Sequence, residues 1–440
     1  MYSALPKVLH ELGGQPLLSH VIHVAHEMEA DAIHVVYGHG GDAVRKHFPD
    51  SQINWVHQEQ QLGTGHAVAQ AMPSIGNDAI VLVIYGDVPL IQAETLRGLV
   101  NRANRDSLAL LTAYVDEPGT YGRIVRNPQE QVTAIVEQRD ANPEQLTISE
   151  INTGFLATPA RHLRGWVERL SNENNQQEYY LTDIVSMAVE SGVEIETEQP
   201  ANNNEIFGVN TKGELAILER EYQRLQAEKY MELGATMIDP SRFDVRGHLQ
   251  LGCDVHFDIN VICEGEVKLG DNVHVGANVF LKNVVIGANT KVLPNSVIED
   301  ADIGRDCSIG PFARIRPGTR LADTAKVGNF VEVKNSQIGE GSKANHLTYI
   351  GDATVGKNVN FGAGVITANY DGANKHRTII GDGASLGAND VLVAPVEVGE
   401  NATIGAGTVL RKNAPAGELT VAAVKEKTIP GWKRPNKKGK

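Results

Sequence analysis

The chain is poor in cysteine, has fewer basic than acidic residues, and contains no long apolar run. Its 440 residues include only three cysteines, none in a CxxC pair. This count indicates neither a disulfide framework nor a cysteine-ligated zinc site, and it fits the reducing cytoplasm best. Forty basic residues stand against 54 acidic ones, for a formal net charge of −14. Because nucleic-acid binding depends on basic patches, this balance disfavours such a partner.

The apolar stretches are also too short for a membrane protein. The longest run, AIVLVIY at 79–85, is far below the roughly 20 residues needed to cross a bilayer. The N-terminus has no uninterrupted apolar signal core. We therefore expect a soluble, cytoplasmic protein without a membrane partner, built from two or three domains.

Two patterns divide the sequence near residue 230. Up to about residue 208, β-rich runs such as IHVVYGH and LALLTAYV alternate with helical patterns such as LLSHVIHVAHEM, which is typical of an α/β sheet. Residues 211–233 have apolar side chains at helical spacing among charges, which predicts a long connecting helix. The predicted division is therefore an α/β domain over 1–210, a linker helix over 211–233 and a third segment over 234–440.

A six-residue period runs through the third segment. Of 24 positions reached by steps of six with short resets, 22 are Val, Ile, Leu or Phe. Gly, Asn or Asp often follows, as tight corners with positive φ require. The positions are Leu269, Val275, Leu281, Ile286, Val292, Ile298, Ile303, Ile309, Ile315, Leu321, Val327, Val333, Ile338, Ala344, Ile350, Val355, Phe361, Thr367, Ile380, Leu386, Leu392, Val398, Ile404 and Leu410.

This period predicts a β-solenoid in which stacking makes each coil stable. The two exceptions, Ala344 and Thr367, each adjoin a polar cluster, ANHLTY and TANYDGANKHRT. The second cluster interrupts the period over 368–377 and predicts a loop, and loops ejected from a solenoid usually lie on its binding face. Cys307 stands at a small-residue position and is interpreted as a packing residue.

In the first half, Asp87 ends the run VLVIYGD, interpreted as a central strand. Ligands of open α/β sheets bind beyond the carboxyl ends of strands, where a carboxylate can hold Mg²⁺ against phosphates; the alternative is an ordinary Gly-Asp turn. Asn210 is a second candidate metal ligand or a helix N-cap. The two glycines of the GTG in QLGTGHA could let the main chain approach a nucleotide base or a phosphate closely. Lys7 could bind a phosphate, or it could be an ordinary surface lysine.

Together these stretches resemble sugar-1-phosphate nucleotidyltransferases, whose signature is L-x-x-G-x-G-T-x-M-x-S-x-x-P-K. The opening MYSALPK matches its tail at Met1, Ser3, Pro6 and Lys7. The repeats resemble the hexapeptide, left-handed parallel β-helix proteins. Both halves together resemble the bifunctional N-acetylglucosamine-1-phosphate uridylyltransferase/glucosamine-1-phosphate acetyltransferases, over nearly the whole chain. The resemblance implies a Rossmann-like nucleotidyltransferase domain, a homotrimer formed through the β-helix, and a product that feeds peptidoglycan and lipopolysaccharide synthesis.

For the first half the resemblance implies in-line attack of the sugar phosphate on the α-phosphate of UTP, releasing pyrophosphate, with Mg²⁺ on Asp87 and Asn210. The family's first strand and glycine loop would lie upstream of Met1. We therefore expect this chain to be truncated relative to the family and impaired in uridylyl transfer. The implied UTP- and sugar-binding residues are Lys7, Gln58, Gly63, Thr64, Tyr85, Gly86, Asp87, Gly122, Glu137, Asn152 and Asn210.

For the second half the resemblance implies acetyl transfer from acetyl-CoA, with His346 as the base that deprotonates the amino sugar. Glu332 is a hypothetical partner for His346. The implied ligands of glucosamine-1-phosphate are Arg316, Lys334, Tyr349, Asn360, Asn369 and Tyr370. Those of acetyl-CoA, between adjacent subunits, are Ala363, Ala388, Ala406 and Ala423, of which Ala388 and Ala423 replace the Ser and Arg of relatives.

Three other interpretations remain open. The solenoid could regulate a nucleotidyltransferase, although the two polar clusters disfavour a purely structural prism. The chain could be a non-enzymatic assembly subunit, which the lack of a further helical domain disfavours. A hexapeptide metalloenzyme would need three clustered histidines, and those of the solenoid are scattered.

Overall fold

A computed structural model describes residues 2–38, 40–49, 52–174, 176–422 and 426–434. The chain forms two compact units, residues 1–223 and 224–440, so the division falls inside the predicted linker helix. No helix among these described residues is long and apolar enough to span a membrane.

Helices and strands alternate in the first unit. The helices are α1 Leu17–Glu27, α2 Gly41–His47, α3 Thr64–Ala71, α4 Ala93–Ala103, α5 Ala160–Val167, α6 Ile184–Glu190 and α7 Lys212–Glu232, the last at the predicted linker. The strands are β1 Glu11–Leu12, β2 Gln15–Pro16, β3 Ile33–Tyr37, β4 Ile53–His57, β5 Ile80–Val83, β6 Leu108–Tyr114, β7 Arg123–Arg126, β8 Val132–Val136, β9 Glu150–Pro159 and β10 Ile195–Glu198.

The main sheet of this unit has the order β10-β6-β9-β7-β8, with β5 also paired to β9. Helix α4 covers one face, where Leu96 and Leu99 are fully buried beside Phe155 of β9. Strand β5 runs antiparallel to β9, and its residues are only half-buried. Among the described residues, β5 is hydrogen-bonded to one strand, β9. The prediction that a central strand precedes Asp87 is therefore wrong for this part of the chain. Strands β3 and β4 pair in parallel as a separate ribbon.

The second unit consists of short strands. They are β11 Thr236–Met237, β12 Phe243–Leu251, β13 His256–Phe257, β14 Val261–Leu269, β15 His274–Val275, β16 Phe280–Ile286, β17 Lys291–Val292, β18 Val297–Ile303, β19 Ser308–Ile309, β20 Arg314–Ile315, β21 Thr319–Leu321, β22 Lys326–Asn329, β23 Glu332–Lys334, β24 Gln337–Ile338, β25 Lys343–His346, β26 Tyr349–Gly351, β27 Ala353–Val355, β28 Asn360–Phe361, β29 Ile366–Ala368, β30 Thr378–Ile380, β31 Ser385–Leu386, β32 Val391–Val393, β33 Val396–Val398, β34 Thr403–Ile404, β35 Val409–Leu410 and β36 Leu419–Thr420.

These strands form a parallel β-helix. Each coil pairs in parallel with the next, as in the chain of register partners Ile298, Ile315, Val333 and Ile350. Every position of the six-residue period is buried, from Leu269 to Leu410. The predicted solenoid is therefore confirmed, with the period marking the inward face of each strand.

Asparagine makes many of the corners. Asn260, Asn278 and Asn295 have φ values of 58°, 59° and 61°, a conformation that Asn tolerates better than most residues. Their side chains also bond from coil to coil, because the Asn260 amide donates to Asn278 at 2.9 Å and that of Asn278 donates to Asn295 at 3.1 Å. One residue type thus supplies both the turn and a ladder between coils.

The two exceptions in the period have structural explanations. Ala344 is in register with Phe361, so a small residue stands beside a large one. Thr367 is fully buried, and its hydroxyl accepts a hydrogen bond from the N–H of Gly351 at 2.7 Å. In an earlier coil, Arg316 occupies the position equivalent to Gly351, and its N–H donates to the main-chain carbonyl of Val333. The hydroxyl therefore replaces a ladder bond just before the loop over 369–377.

We expect Thr367→Val to lower the free energy of unfolding of the β-helix by about 1–3 kcal/mol, because the buried Gly351 N–H loses its acceptor. Thr367→Ser keeps the hydroxyl and serves as the matched control, with a smaller loss. Urea unfolding followed by circular dichroism measures both. A valine variant as stable as the unsubstituted protein would contradict this account of Thr367.

Candidate functional site

Most of the nucleotide- and sugar-binding residues predicted from the sequence meet at one cavity of the first unit. The cavity has a volume of about 680 Å³. Lys7, Gln58, Gly63 and Gly86 are outside its lining, although Lys7 contacts two lining residues. The predicted residues that line it are Thr64, Tyr85, Asp87, Gly122, Glu137, Asn152 and Asn210.

Asp87 and Asn210 converge on a single cation. The Lys7 ammonium lies 2.5 Å from Asp87 Oδ2 and 2.7 Å from Asn210 Oδ1. A carboxylate oxygen and an amide oxygen are ligands that Mg²⁺ accepts, usually with substrate phosphates completing its shell. The two oxygens that meet around Lys7 therefore fit the predicted metal site.

Main-chain contacts fix the spacing of these two oxygens. The Val209 N–H donates to the Asp87 carbonyl at 3.0 Å, which ties the two segments together. The Asn210 N–H donates to Glu214 Oε2 at 2.6 Å. Thr211 and Glu214 form a capping box at the start of α7, with reciprocal bonds of 2.8 and 3.1 Å. Thr211 is therefore the helix cap, and the Asn210 side chain instead accepts a hydrogen bond from Lys7.

The interior of the cavity is poorly solvated. Burial, with the nearby carboxylates of Glu137 and Asp87, raises the pKa of Tyr85 to about 12. Burial also raises the pKa of Glu137, although the Thr182 hydroxyl donates to it at 3.2 Å. Polar contacts made here with a ligand are therefore stronger than in water. Thr182 is a lining residue that no motif in the sequence singled out.

The GTG motif serves the protein's own packing. Gly63 has φ 106°, and a Cβ there would lie 2.7 Å from the carbonyl oxygen of Tyr179. The N–H of Gly65 donates to that same carbonyl at 2.8 Å. The buried Gln58 donates to the Gly63 carbonyl at 3.2 Å. The absence of a side chain at Gly63 and Gly65 therefore leaves room for the segment around Tyr179. Of the three residues of this motif, Thr64 lines the cavity.

Two of the glycines named from the sequence support the cavity wall. A Cβ on Gly86 would lie 3.2 Å from Leu18 and 3.6 Å from Val8, so this residue packs just after Tyr85. Gly122 lies beside Glu137, with 3.6 Å between its hypothetical Cβ and the carboxylate. Its carbonyl accepts from the N–H of Asn152 at 2.9 Å. Gly122 and Asn152 are therefore held together at the cavity.

In the second unit, His346 heads a column of alanines. Ala344, Phe361, Leu386 and Ile404 are register partners in successive coils. Two residues beyond each of them stand His346, Ala363, Ala388 and Ala406. These four are half-buried or exposed, so they face outward on one side of the helix. Ala423, also predicted to contact acetyl-CoA, lies outside the described residues.

The hydrogen-bond partner of His346 is Asn329, one coil before it. Asn329 is the register partner of His346, and its Oδ1 lies 3.1 Å from His346 Nδ1. Glu332 instead binds Arg316, with 2.7 Å between Oε1 and Nη1, and raises the pKa of that guanidinium. The hypothesis that Glu332 pairs with His346 is therefore wrong, because Glu332 lies on the next face of the coil.

Cationic side chains gather on the face that follows the His346 corner. Arg316 and Lys334 occupy equivalent positions in successive coils, followed by Gly351. A Cβ on Gly351 would lie 2.3 Å from the Tyr349 hydroxyl, so glycine makes room for that ring. Lys375, from the loop over 369–377, contacts Lys334, which lowers the pKa of Lys375. Two adjacent ammonium groups favour an anion between them; sequence reasoning missed Lys375.

The same loop is anchored to the coil beneath it. Asp352 accepts hydrogen bonds from Asn335, at 2.6 Å, and from the buried Asn369. Burial of Asp352 opposes its ionisation, but these bonds prevail and lower its pKa. Asn369 is therefore a structural anchor of the loop. Tyr370 is exposed on the loop, and Asn360 is exposed on β28 beside the alanine column.

Family models match both units. A MobA-like NTP transferase domain matches residues 1–151. A GMPPB C-terminal domain matches residues 247–338. The bacterial transferase hexapeptide model, of six repeats, matches residues 377–412.

Curated relatives match the whole chain. Bifunctional protein GlmU of Marinobacter nauticus is 54% identical over 437 residues, which cover 99% of this chain and 96% of the relative. The GlmU proteins of Nitrosospira multiformis and Aromatoleum aromaticum are each 54% identical, over 100% of this chain and 96% of their own length. The chain belongs to the bifunctional GlmU family. It carries a nucleotidyltransferase domain and a hexapeptide acetyltransferase domain, and is an enzyme with both transferase activities.

This membership decides between several expectations. The full-length match to bifunctional enzymes favours two catalytic units over a regulatory β-helix or an assembly subunit. The chain covers 96% of the length of each of these relatives. The comparisons show neither a truncation of this chain nor an impaired uridylyl transfer, and both stay predictions.

Proposed function

We propose that the chain acetylates glucosamine-1-phosphate with acetyl-CoA and then transfers a uridylyl group from UTP to the N-acetylated sugar phosphate, both in the cytoplasm. The observation that carries the proposal is the column in which His346 heads three outward-facing alanines, next to a face with Arg316 and Lys334. A general base, a smooth channel and a phosphate-binding face are what acetyl transfer to an amino sugar phosphate needs.

His346 is the proposed base for acetyl transfer. The free amine attacks the thioester carbonyl, so the C–N bond forms, the C–S bond breaks, and the thiolate leaves as coenzyme A after protonation. The ammonium of the sugar must first lose a proton, which the imidazole accepts. Asn329 orients the ring through the 3.1 Å contact to Nδ1, so that Nε2 can face the substrate.

The sugar phosphate binds the cationic face. Arg316, Lys334 and Lys375 are the cations, of which Arg316 offers a planar guanidinium suited to phosphate. Glu332 holds that guanidinium in place through its 2.7 Å contact. Tyr349, Asn369 and Tyr370 complete the acceptor site on this face, and Asn360 contributes from beside the alanine column.

Acetyl-CoA lies along the alanine column, in contact with Ala363, Ala388 and Ala406; Ala423, which is outside the described residues, is a further proposed contact from the sequence. The small side chains let the pantetheine approach the main chain closely, and the reactive thioester then ends at His346. The opposite wall comes from a second copy of the chain, because we propose a homotrimer formed through the β-helix.

Uridylyl transfer uses the cavity of the first unit. Asp87 and Asn210 would hold Mg²⁺, which when bound would supply positive charge against the phosphates of UTP and offset the negative charge that develops there. Lys7 binds the departing pyrophosphate. Tyr85, Gly122, Glu137 and Asn152 position the sugar, while Gln58, Gly63, Thr64 and Gly86 shape the nucleotide side. The phosphate of the sugar then attacks in line, forming one P–O bond as the bond to pyrophosphate breaks.

We expect His346→Ala to lower acetyl transfer at least about 100-fold, because general-base catalysis is lost. Thiol release from acetyl-CoA that depends on glucosamine-1-phosphate measures the rate. His274→Ala removes another exposed histidine of the same sheet and leaves the rate unchanged. Full activity of His346→Ala, or no turnover by the unsubstituted chain, would overturn the assignment.

We expect Asp87→Asn to lower uridylyl transfer about 100-fold or more, because the carboxylate that holds the metal is lost. Acetyl transfer by the same variant stays unchanged, since it occurs in the other unit. Pyrophosphate release measures the first activity, and Asp78→Asn, a change at an exposed aspartate, is the control. A parallel loss of both activities would show a folding defect and remove support for this role.

A further inference from the structure

Lys7 occupies the position at which the two proposed metal ligands meet. Its ammonium is within 2.7 Å of both Asp87 Oδ2 and Asn210 Oδ1. An ammonium and a divalent cation cannot share that point, because two positive charges a few ångströms apart repel strongly. The chain therefore supplies its own cation, the Lys7 ammonium, at this position.

The two ligands stay in place if Lys7 leaves. Val209 ties its segment to the Asp87 carbonyl, and Glu214 holds the main chain of Asn210. The main chain of Lys7 is fixed as well, because its carbonyl accepts from the His10 N–H at 3.2 Å. The Lys7 side chain, by contrast, is partly exposed and has a long flexible stem. Only this side chain needs to move for the site to open.

We propose that Lys7 is an internal substitute for the metal, which blocks Asp87 and Asn210 until a nucleotide phosphate draws the ammonium away. The inference rests on the proposed metal site of the uridylyl-transfer unit. Its consequence is an order of binding: a divalent cation enters together with the nucleotide and binds the free protein weakly. Lys7 thus acts twice, first between Asp87 and Asn210 and then on the phosphates.

The test measures binding of Mn²⁺ alone, as a probe for Mg²⁺, to the full chain without nucleotide. Electron paramagnetic resonance reports the free aqueous ion during a titration at constant ionic strength. Lys7→Met keeps the length of the side chain and removes its charge, so we expect it to tighten Mn²⁺ binding about tenfold or more. Adding Asp87→Asn to that variant abolishes the gain.

Lys212→Met is the matched control. It removes the same charge from a lysine whose ammonium lies 2.9 Å from Nδ1 of His10. We expect its affinity for Mn²⁺ to match that of the unsubstituted chain. An equal gain in Lys212→Met, or no gain in Lys7→Met, would overturn the inference. So would a gain that survives Asp87→Asn.

A second titration separates this inference from the proposed function. With UTP present, Asp87→Asn alone weakens Mn²⁺ binding if Asp87 is a metal ligand. Failure of this result rejects the metal site itself. If it succeeds while Lys7→Met binds Mn²⁺ no tighter, the metal site stands and the blocking role of Lys7 is rejected.

Discussion

Parallel pairing of each coil with the next is the constraint on which the second unit depends. Because strands such as β20, β23 and β26 are in register from coil to coil, an outward position on them repeats as a column along the helix. The column after His346 has three alanines, and the one with Arg316 has a second cation, Lys334, before Gly351. The proposed base, acetyl-CoA site and phosphate site can thus lie side by side. The loop over 369–377 adds Lys375, which contacts Lys334.

The first unit builds its cavity in a different way. Its functional groups come from segments far apart in sequence, joined by a few main-chain contacts such as that from Val209 to Asp87. Burial then adjusts the chemistry, since it raises the pKa values of Tyr85 and Glu137 in the same cavity. The positions of the groups depend on the sheet, whereas their reactivity depends on the exclusion of water around them.

The sequence predicts these two sites unequally. A six-residue period identifies the inward side chains because each coil obeys one local rule, and even Thr367 occupies an inward position. The partner of His346 could have been found by counting one coil back to Asn329. Lys7 and Asn210 meet although they are 203 residues apart in sequence. This contact, like the pairing of β5 with one strand, depends on tertiary structure, which a local sequence pattern does not predict. The hypothesis that Glu332 pairs with His346 failed because the two residues, although near in sequence, lie on different faces of the coil.

The most direct measurement is the affinity for coenzyme A when the alanine column is blocked. Calorimetric titration of Ala388→Trp should show binding weakened about tenfold or more, because a bulky ring would fill the channel beside His346. Ala322→Trp places the same ring on an exposed site of another face and should bind coenzyme A normally. Equal affinity in the two variants would contradict the claim that the column below His346 is where the acetyl donor binds.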